Sequence, residues 1–456
     1  MQIPKNIFRQ YDVRGLVDRE LTPDFARALG RAFASAGWSK LGRAPVVAVG
    51  RDNRPSGDAL ARGVRAGIAA AGGTAIDVGM LPTPALYYAV HHLKADGGLQ
   101  VTGSHNPPEF NGFKMVLAGE AIHGEAILDL HDVIVAETWR TGEGGERVDG
   151  SILDAYAHAI VSRHTLARPV NVVVDCGNGV ASLIAEKVLT ALGCEVTPLF
   201  CESDGTFPNH HPDPTVPENL EDLVLAVRRT GAELGVAFDG DGDRIGAVDE
   251  HGTIIYGDQL LVVLGRDAVR RFGRDVPVIF DVKCSEVLPQ ALRDAGARPE
   301  MWKTGHSLIK ARMKELAAPL AGEMSGHIFF GGDYLGFDDA LFAAARLLEI
   351  VAAGAPGLHR HLADLPTTYA TPEIRVDCPD DVKFGLVEEA AAYFGSRYDV
   401  NTIDGVRIAY PDGWALLRAS NTQPVLVMRF EATSEAARDR YQDEMRSWLR
   451  QRGIEG

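Results

Sequence analysis

The chain has 456 residues, 46% hydrophobic and 24% charged, the balance of a soluble globular protein long enough for several domains. Its net charge of -16 provides no general basic field, which excludes a nucleic acid or an anionic membrane as the expected partner, but not a small anion held by a few local cations. Five scattered cysteines (Cys176, Cys194, Cys201, Cys284 and Cys378), none in a Cys-x-x-Cys pair, predict reduced, mostly buried thiols, with no zinc or disulfide framework. Met1–Tyr11 has no apolar core of a signal segment and no membrane-length apolar run follows, so a cytoplasmic location is expected.

In chain order, one pattern recurs three times. An apolar strand at Pro45–Gly50 ends at Arg51 and Asp52; a helix follows from Ser56, Gly72–Gly73 stops it, and Thr74–Val78 is a second strand. The second copy runs Val170–Asp175, a helix around Ala181–Leu192, then Cys194–Phe200; the third runs Val276–Asp281, Glu286–Ala295, then Pro299–Trp302. Apolar strands without polar alternation, separated by helices, predict parallel pairing in sheets covered on both faces.

The tail reads differently. Glu373–Val376, Val406–Tyr410, Trp414–Arg418 and Val425–Phe430 are short strands, the last three joined by turns, with helices at Asp380–Phe394 (Asp380 as N-cap) and Ser434–Arg450. Strands without crossover helices predict antiparallel pairing and a separate α+β domain. The expected domains are 1–149, 150–253, 254–366 and 367–456, with joints near Thr141–Glu146 and Asp364–Pro372.

Four loops could carry chemistry. Thr102–Lys114 follows the short strand Leu99–Val101 and presents Ser104, His105 and Lys114; its prolines and glycines predict a fixed, exposed, irregular loop. A serine hydroxyl needs a base or cation to act as a nucleophile, so a polar turn with an incidental serine is the alternative. Asp239-Gly-Asp-Gly-Asp243-Arg244 leaves the apolar strand Leu234–Phe238 with three carboxylates at alternate positions, whose repulsion a divalent cation would relieve. An EF-hand fits less well, because Arg244 stands where that loop needs glycine and the flanks read as strands. Gly322–His327 offers Glu323, Ser325 and His327, groups suited to vicinal sugar hydroxyls, although a polar turn fits as well. Arg418-Ala-Ser-Asn-Thr422-Gln-Pro424 combines arginine, hydroxyls and an amide, the parts of a phosphate cradle. Arg9, Arg14, Lys283 and His306 lie near these loops in sequence or in pattern.

Together and in this order, these loops resemble the α-D-phosphohexomutase superfamily, as do Ile7–Gly15, Asp281–Ser285 and Lys303–Ser307. Within it, Gly322-Glu-Met-Ser-Gly-His327 is most similar to the bacterial phosphomannomutase/phosphoglucomutase group. The resemblance implies three similar α/β domains with mixed or parallel sheets and a smaller α+β C-terminal domain, enclosing one central cleft. It implies an isomerase exchanging hexose 1-phosphate and hexose 6-phosphate, of mannose or glucose, through a phosphoserine at Ser104 and a hexose 1,6-bisphosphate. Magnesium would sit on Asp239, Asp241, Asp243 and the Ser104 phosphoryl group, with Lys114 and Arg244 stabilising transferred charge and His105 or His306 as the base. Tyr11, Arg14, Lys283, His306, Glu323, Ser325, His327, Arg418, Ser420, Asn421 and Thr422 would bind the substrate. Glucose 1,6-bisphosphate or its mannose analogue is the expected activator, and a monomer the expected state. Phosphoglucosamine mutase is the alternative within the superfamily; a sugar-phosphate phosphatase or a non-catalytic sensor are alternatives of other classes.

Overall fold

The computed structural model describes residues 3–354, 356–421 and 423–455. Three of its four sheets share one core arrangement. In the first, Val46–Arg51 lies between Thr74–Met80 and Gly97–Val101, parallel to both, and Phe110–Leu117 adds antiparallel beside Gly97–Val101. Asn171–Asp175 takes the same central place in the second sheet, between Glu195–Leu199 and Leu234–Phe238, with Ile245–Asp249 antiparallel outside. Pro277–Asp281 repeats it between Arg298–Trp302 and Leu320–Gly322, with Ile328–Phe330 antiparallel. Gly97–Val101 and Leu234–Phe238 are buried at every residue, as apolar strands covered on both faces must be.

This repetition gives the functional loops equivalent addresses. In each unit the connection from the third strand to the antiparallel fourth carries one of them. These are the Ser104 loop between Val101 and Phe110, the acidic loop between Phe238 and Ile245, and the Glu323–His327 turn between Gly322 and Ile328. Each starts at the carboxyl end of a parallel strand, where open α/β sheets bind ligands. The tail forms an antiparallel sheet in which Gly413–Ala419 pairs with Val406–Tyr410 and Val425–Ala432, so the Arg418–Asn421 segment also enters a hairpin turn. Helices Asp380–Gly395 and Glu435–Arg450 pack on that sheet around Phe394, Phe430 and Trp448, a core separate from those of the α/β units.

Several expectations need correction. Lys114 is not in an irregular loop, because residues from Phe110 onward form a strand once their backbone pairs with Val13–Leu16 and Gly97–Val101. The loop is exposed only at its tip, Pro107, Pro108 and Glu109, while Ser104 and Lys114 are 2% and 4% accessible. The helix around Ala181–Leu192 is two pieces, a 3-10 turn Val180–Leu183 and a helix Ala185–Ala191. Pro379, not Asp380, holds the N-cap position of the first tail helix; Asp380 lies in the first turn, where its carboxylate accepts from Lys383 Nζ at 2.6 Å. Part of the expected joint near Thr141–Glu146 is structured, since Gly145–Val148 extends the first sheet beside Thr74–Met80. Among the described residues, no helix is long and apolar enough to cross a membrane.

Candidate active site

Ser104 sits in the left-handed region at φ 50°. A non-glycine residue held there needs support from its surroundings. Buried Arg54 supplies it: Nη2 donates to the carbonyls of Ser104 (2.7 Å) and Asn106 (2.5 Å), and Nη1 to those of Pro107 (2.7 Å) and Phe110 (2.9 Å). Asp52 fixes Arg54 in turn, 3.2 Å from Nε, and accepts from Thr102 Oγ1 at 2.8 Å. Thr102 Oγ1 then accepts from the Ser104 N–H at 2.8 Å. Sequence reasoning reached Asp52 as the end of a strand and missed Arg54. The signal was the polar run Arg51-Asp52-Asn53-Arg54 directly after an apolar parallel strand.

The serine faces the acidic loop. Ser104 Oγ donates to Asp239 Oδ2 at 2.9 Å and lies 3.2 Å from His105 Nδ1. Approach is close because Gly240 has no side chain; a Cβ there would meet the Ser104 carbonyl oxygen at 2.4 Å. Asp239 Oδ1 accepts from the N–H groups of Asp243 (3.0 Å) and Arg244 (3.1 Å), which folds the loop back on itself. Lys114 Nζ donates to Asp241 Oδ2 at 2.8 Å and also to Asp243 Oδ2, and Thr83 Oγ1 donates to Asp241 Oδ2 at 2.6 Å.

These carboxylates fit a divalent cation. All three aspartates are fully buried, and each offers an oxygen within 4.8 Å of the others'. Among the described residues Asp241 Oδ1 has no hydrogen-bond donor, and Asp243 Oδ1 has only the His327 imidazole, 3.3 Å away. Burial and the neighbouring charges of Asp241 and Asp243 push Asp239 well above the usual carboxylate range. Burial also opposes ionisation of Asp243, yet Lys114 and His327 outweigh it and hold that carboxyl well below its ordinary value. A dication would relieve the repulsion that lifts Asp239.

The third unit's turn joins this loop through an antiparallel backbone bridge of Arg244 with His327 and an Ile245 N–H to Gly326 carbonyl bond of 3.0 Å. His327 Nδ1 lies 3.0 Å from Glu323 Oε2 and its Nε2 3.3 Å from Asp243 Oδ1. Burial disfavours the imidazolium, but these carboxylates raise His327 to about 9. Glu323 Oε1 also accepts from the Gly305 N–H at 2.5 Å. Glu323 itself is held down to about 2, against the effect of burial, chiefly by His327. His306 is pushed well below its ordinary value by burial and nearby Lys310 and Lys114, which keeps its imidazole neutral.

A cleft of about 900 Å³ gathers residues from all four units. Tyr11, Arg14, Ser104, His105 and Lys114 line it from the first unit, Arg244 from the second, Lys283, His306, Glu323, Ser325 and His327 from the third, and Arg418, Ser420 and Asn421 from the fourth. Thr422 lies outside the described residues. Arg9 does not line the cleft; it lies 3.8 Å from Asp380. Arg418 is 5% accessible and its guanidinium pairs with Asp404 at 3.1 Å, while Lys283 pairs with Glu373 at 3.2 Å. Both acidic partners were missed, because a lone carboxylate in a loop carries no distinctive spacing. Tyr11 Oη donates to the Thr304 carbonyl at 2.8 Å and accepts from Asn421 Nδ2 at 3.0 Å, tying the first, third and fourth units together across the cleft.

Comparisons with known proteins match this architecture throughout. Four family models match in order: phosphoglucomutase/phosphomannomutase alpha/beta/alpha domains I (residues 5–140), II (154–252) and III (256–369), and the C-terminal domain (373–447). The chain is 48% identical over 451 residues to a phosphomannomutase/phosphoglucomutase of Pseudomonas aeruginosa, covering 98% of this chain and 96% of that protein. It is 44% identical to a phosphoglucomutase of Neisseria gonorrhoeae, covering 98% and 97%. A crystal structure of a phosphoglucomutase/phosphomannomutase family protein from Burkholderia thailandensis superposes with a TM-score of 0.91 at 46% identity, over 98% of each chain.

Proposed function

The chain belongs to the phosphoglucomutase/phosphomannomutase family, and from that premise we propose how its cleft works as a hexose-phosphate mutase. Its substrates are the 1- and 6-phosphates of mannose, glucose or both; the names of the full-length relatives do not favour glucosamine phosphate. The observation that carries the reading is Ser104 Oγ, buried and 2.9 Å from Asp239, in a cleft whose fourth-unit wall carries the Arg418 loop. One group can be exchanged at the serine while a second phosphate is gripped elsewhere.

In the working form Ser104 Oγ carries a phosphoryl group. Asp239, Asp241 and Asp243 would hold a magnesium ion, which supplies charge neutralisation for that group. Lys114 and Arg244 border the transferred oxygens and stabilise charge that spreads onto them. The sugar phosphate's own phosphate docks on Arg418, Ser420 and Asn421, with Thr422 next in sequence. Glu323, Ser325 and His327 orient ring hydroxyls, and Tyr11, Arg14 and Lys283 complete the walls. The free sugar hydroxyl attacks phosphorus, the Ser104 oxygen departs, and His105 or His306 accepts the hydroxyl proton. Neutral His306 has the vacant lone pair this requires. The resulting 1,6-bisphosphate turns end over end and returns its other phosphoryl group to Ser104.

One assay tests the reading against its rivals. The protein is incubated with glucose 1-phosphate, magnesium and trace glucose 1,6-bisphosphate. Glucose 6-phosphate identifies the mutase; release of inorganic phosphate would make it a phosphatase, and no turnover a sugar-phosphate sensor.

A further inference from the structure

Cys176 and Cys201 have no part in the chemistry above, yet the fold places their sulfurs 3.3 Å apart. The cause is the parallel pairing of Asn171–Asp175 with Glu195–Leu199, which runs one step further through the Cys176 N–H to Leu199 carbonyl bond of 3.1 Å. The two thiols therefore sit on adjacent chain ends, and a disulfide must draw their sulfurs from 3.3 Å to roughly 2.0 Å, a movement the Cys176 backbone shares. Cys176 is fully buried and Cys201 half-buried, so one sulfur is reachable from solvent and the other waits behind it.

We propose that this pair is an oxidation site, in which a peroxide links Cys176 to Cys201 and the link loosens the acidic loop from behind. Cys201 attacks the peroxide as thiolate; its sulfur takes one oxygen as sulfenic acid and the other leaves as hydroxide, which takes up the thiol's proton to become water. Cys176 then attacks the sulfenyl sulfur, and its proton leaves with that hydroxyl as a second water. Two thiols and one hydrogen peroxide thus give one disulfide and two waters. Cys201 takes the first step because it is the half-buried thiol of the pair and Cys176 is fully buried. Cys194, Cys284 and Cys378 are buried and have no thiol neighbour among the described residues, so oxidation at them has no ready resolving partner.

The link acts on the loop through one short turn. The Cys176 carbonyl accepts from the Gly179 N–H at 2.7 Å, and the next residue, Val180, donates to the Gly240 carbonyl at 3.0 Å. Gly179 is packed so tightly on Gly240 that an added Cβ would lie 3.0 Å from the Gly240 oxygen. Gly240 sits between Asp239 and Asp241, so a shift at Cys176 reaches the carboxylates directly.

The effect on the loop rests on the proposed reaction; the linkage itself does not. The full-length reduced protein is treated with hydrogen peroxide, digested without reductant, and analysed by mass spectrometry. A linked Cys176–Cys201 peptide, reversed by dithiothreitol and absent in Cys201→Ser and Cys176→Ser, is expected. Linkage of other cysteines first, or no linkage where methionines already oxidise, overturns the site. In the mutase assay, the oxidised protein should need roughly tenfold more magnesium for half-maximal activity. Full linkage with an unchanged magnesium requirement overturns the effect on the loop. Reduced protein inactive from the start would instead sink the mutase reading, leaving the mass result intact.

Discussion

Arg54 Nη2 donates to the Ser104 carbonyl at 2.7 Å, so a guanidinium that never reaches the cleft sets the direction of the serine that does. Arg54→Ala would leave Asp52 buried without its cation and remove the side-chain donor from four loop carbonyls, of which Pro107 keeps the Phe110 N–H at 3.0 Å. Losing one partner of such a pair costs about 3–5 kcal/mol. The expected outcome is a lower unfolding temperature and a kcat reduced on the order of 100-fold, since small misplacement of a reacting group has that effect. Arg54→Lys restores charge but not the four-carbonyl grip, so kcat should stay low while stability partly recovers. A lysine variant with full kcat would show that the loop holds its shape unaided.

Ser104→Ala should abolish steady turnover while circular dichroism and unfolding temperature stay near wild type, because the side chain gives up few contacts. Intact-mass analysis of wild-type protein should show a fraction heavier by one phosphate, mapping to Ser104 and missing in the variant. Full activity in the alanine variant would eliminate the covalent route.

Asp241→Asn removes one negative charge from a set of three. Lys114 keeps Asp243, so the fold should survive. Half-saturation by magnesium should rise about tenfold or more, a scale that even outer-sphere partners of metals reach. Isothermal titration with magnesium checks this without turnover, and an unchanged affinity would mean the cation binds elsewhere.

How much of this was legible in the chain depends on how locally each feature is encoded. The three aspartates at Asp239, Asp241 and Asp243 announce themselves because their spacing is unusual and lies within one turn. The strands Val46–Arg51 and Leu234–Phe238 are equally local, being apolar runs with no polar alternation. Arg54 stands in a polar run at a strand end, but its role is not local: the fold brings Pro107 and Phe110 to it across more than fifty residues. The same holds for Asp404 beside Arg418 and for the Cys176–Cys201 pair, whose proximity arises only from parallel pairing. Lys114 was placed in a loop because its strand character comes from the two strands that flank it, not from its own neighbours in sequence.

Asp339 predicts a pH dependence of stability. It caps the helix Ala340–Ala352, accepting from the Phe342 N–H at 2.9 Å, Tyr156 Oη at 2.8 Å and Tyr334 Oη at 3.0 Å. Burial outweighs these donors and raises its carboxyl from 3.8 to about 7. The folded state therefore holds its proton where the unfolded chain has lost it. This contribution to stability is full at low pH and declines as pH rises, by about 1.4 kcal/mol per unit at most, until the folded group ionises near pH 7. Asp339→Asn keeps an acceptor and removes the titration. Calorimetry at pH 5 and pH 8 should show the variant losing less unfolding temperature than wild type between the two. Parallel profiles would mean the carboxyl titrates in its ordinary range.

Arg418→Ala should weaken both directions of the reaction. In the proposed reaction Ser104 handles one phosphate while the fourth-unit loop must hold the other, whichever carbon bears it. In the structure Arg418 is 5% accessible and paired with Asp404 at 3.1 Å, so its charge is aimed, and a phosphate arriving there competes with that carboxylate. Removing a charged, desolvated donor costs about 2–5 kcal/mol of binding, and the loss of Asp404's partner adds repulsion toward the ligand. KM should therefore rise for sugar 1-phosphate and sugar 6-phosphate alike. The bisphosphate should escape before turning, so the variant should need more added glucose 1,6-bisphosphate. Asp404→Asn makes the opposite case: it keeps Arg418 and removes its competitor, so KM should be unchanged or lower. Phosphorylation of Ser104 should survive in both variants, because Arg54, Lys114 and the acidic loop belong to other units. Normal KM in both directions for Arg418→Ala, with no extra need for the bisphosphate, would place the phosphate grip elsewhere in the cleft.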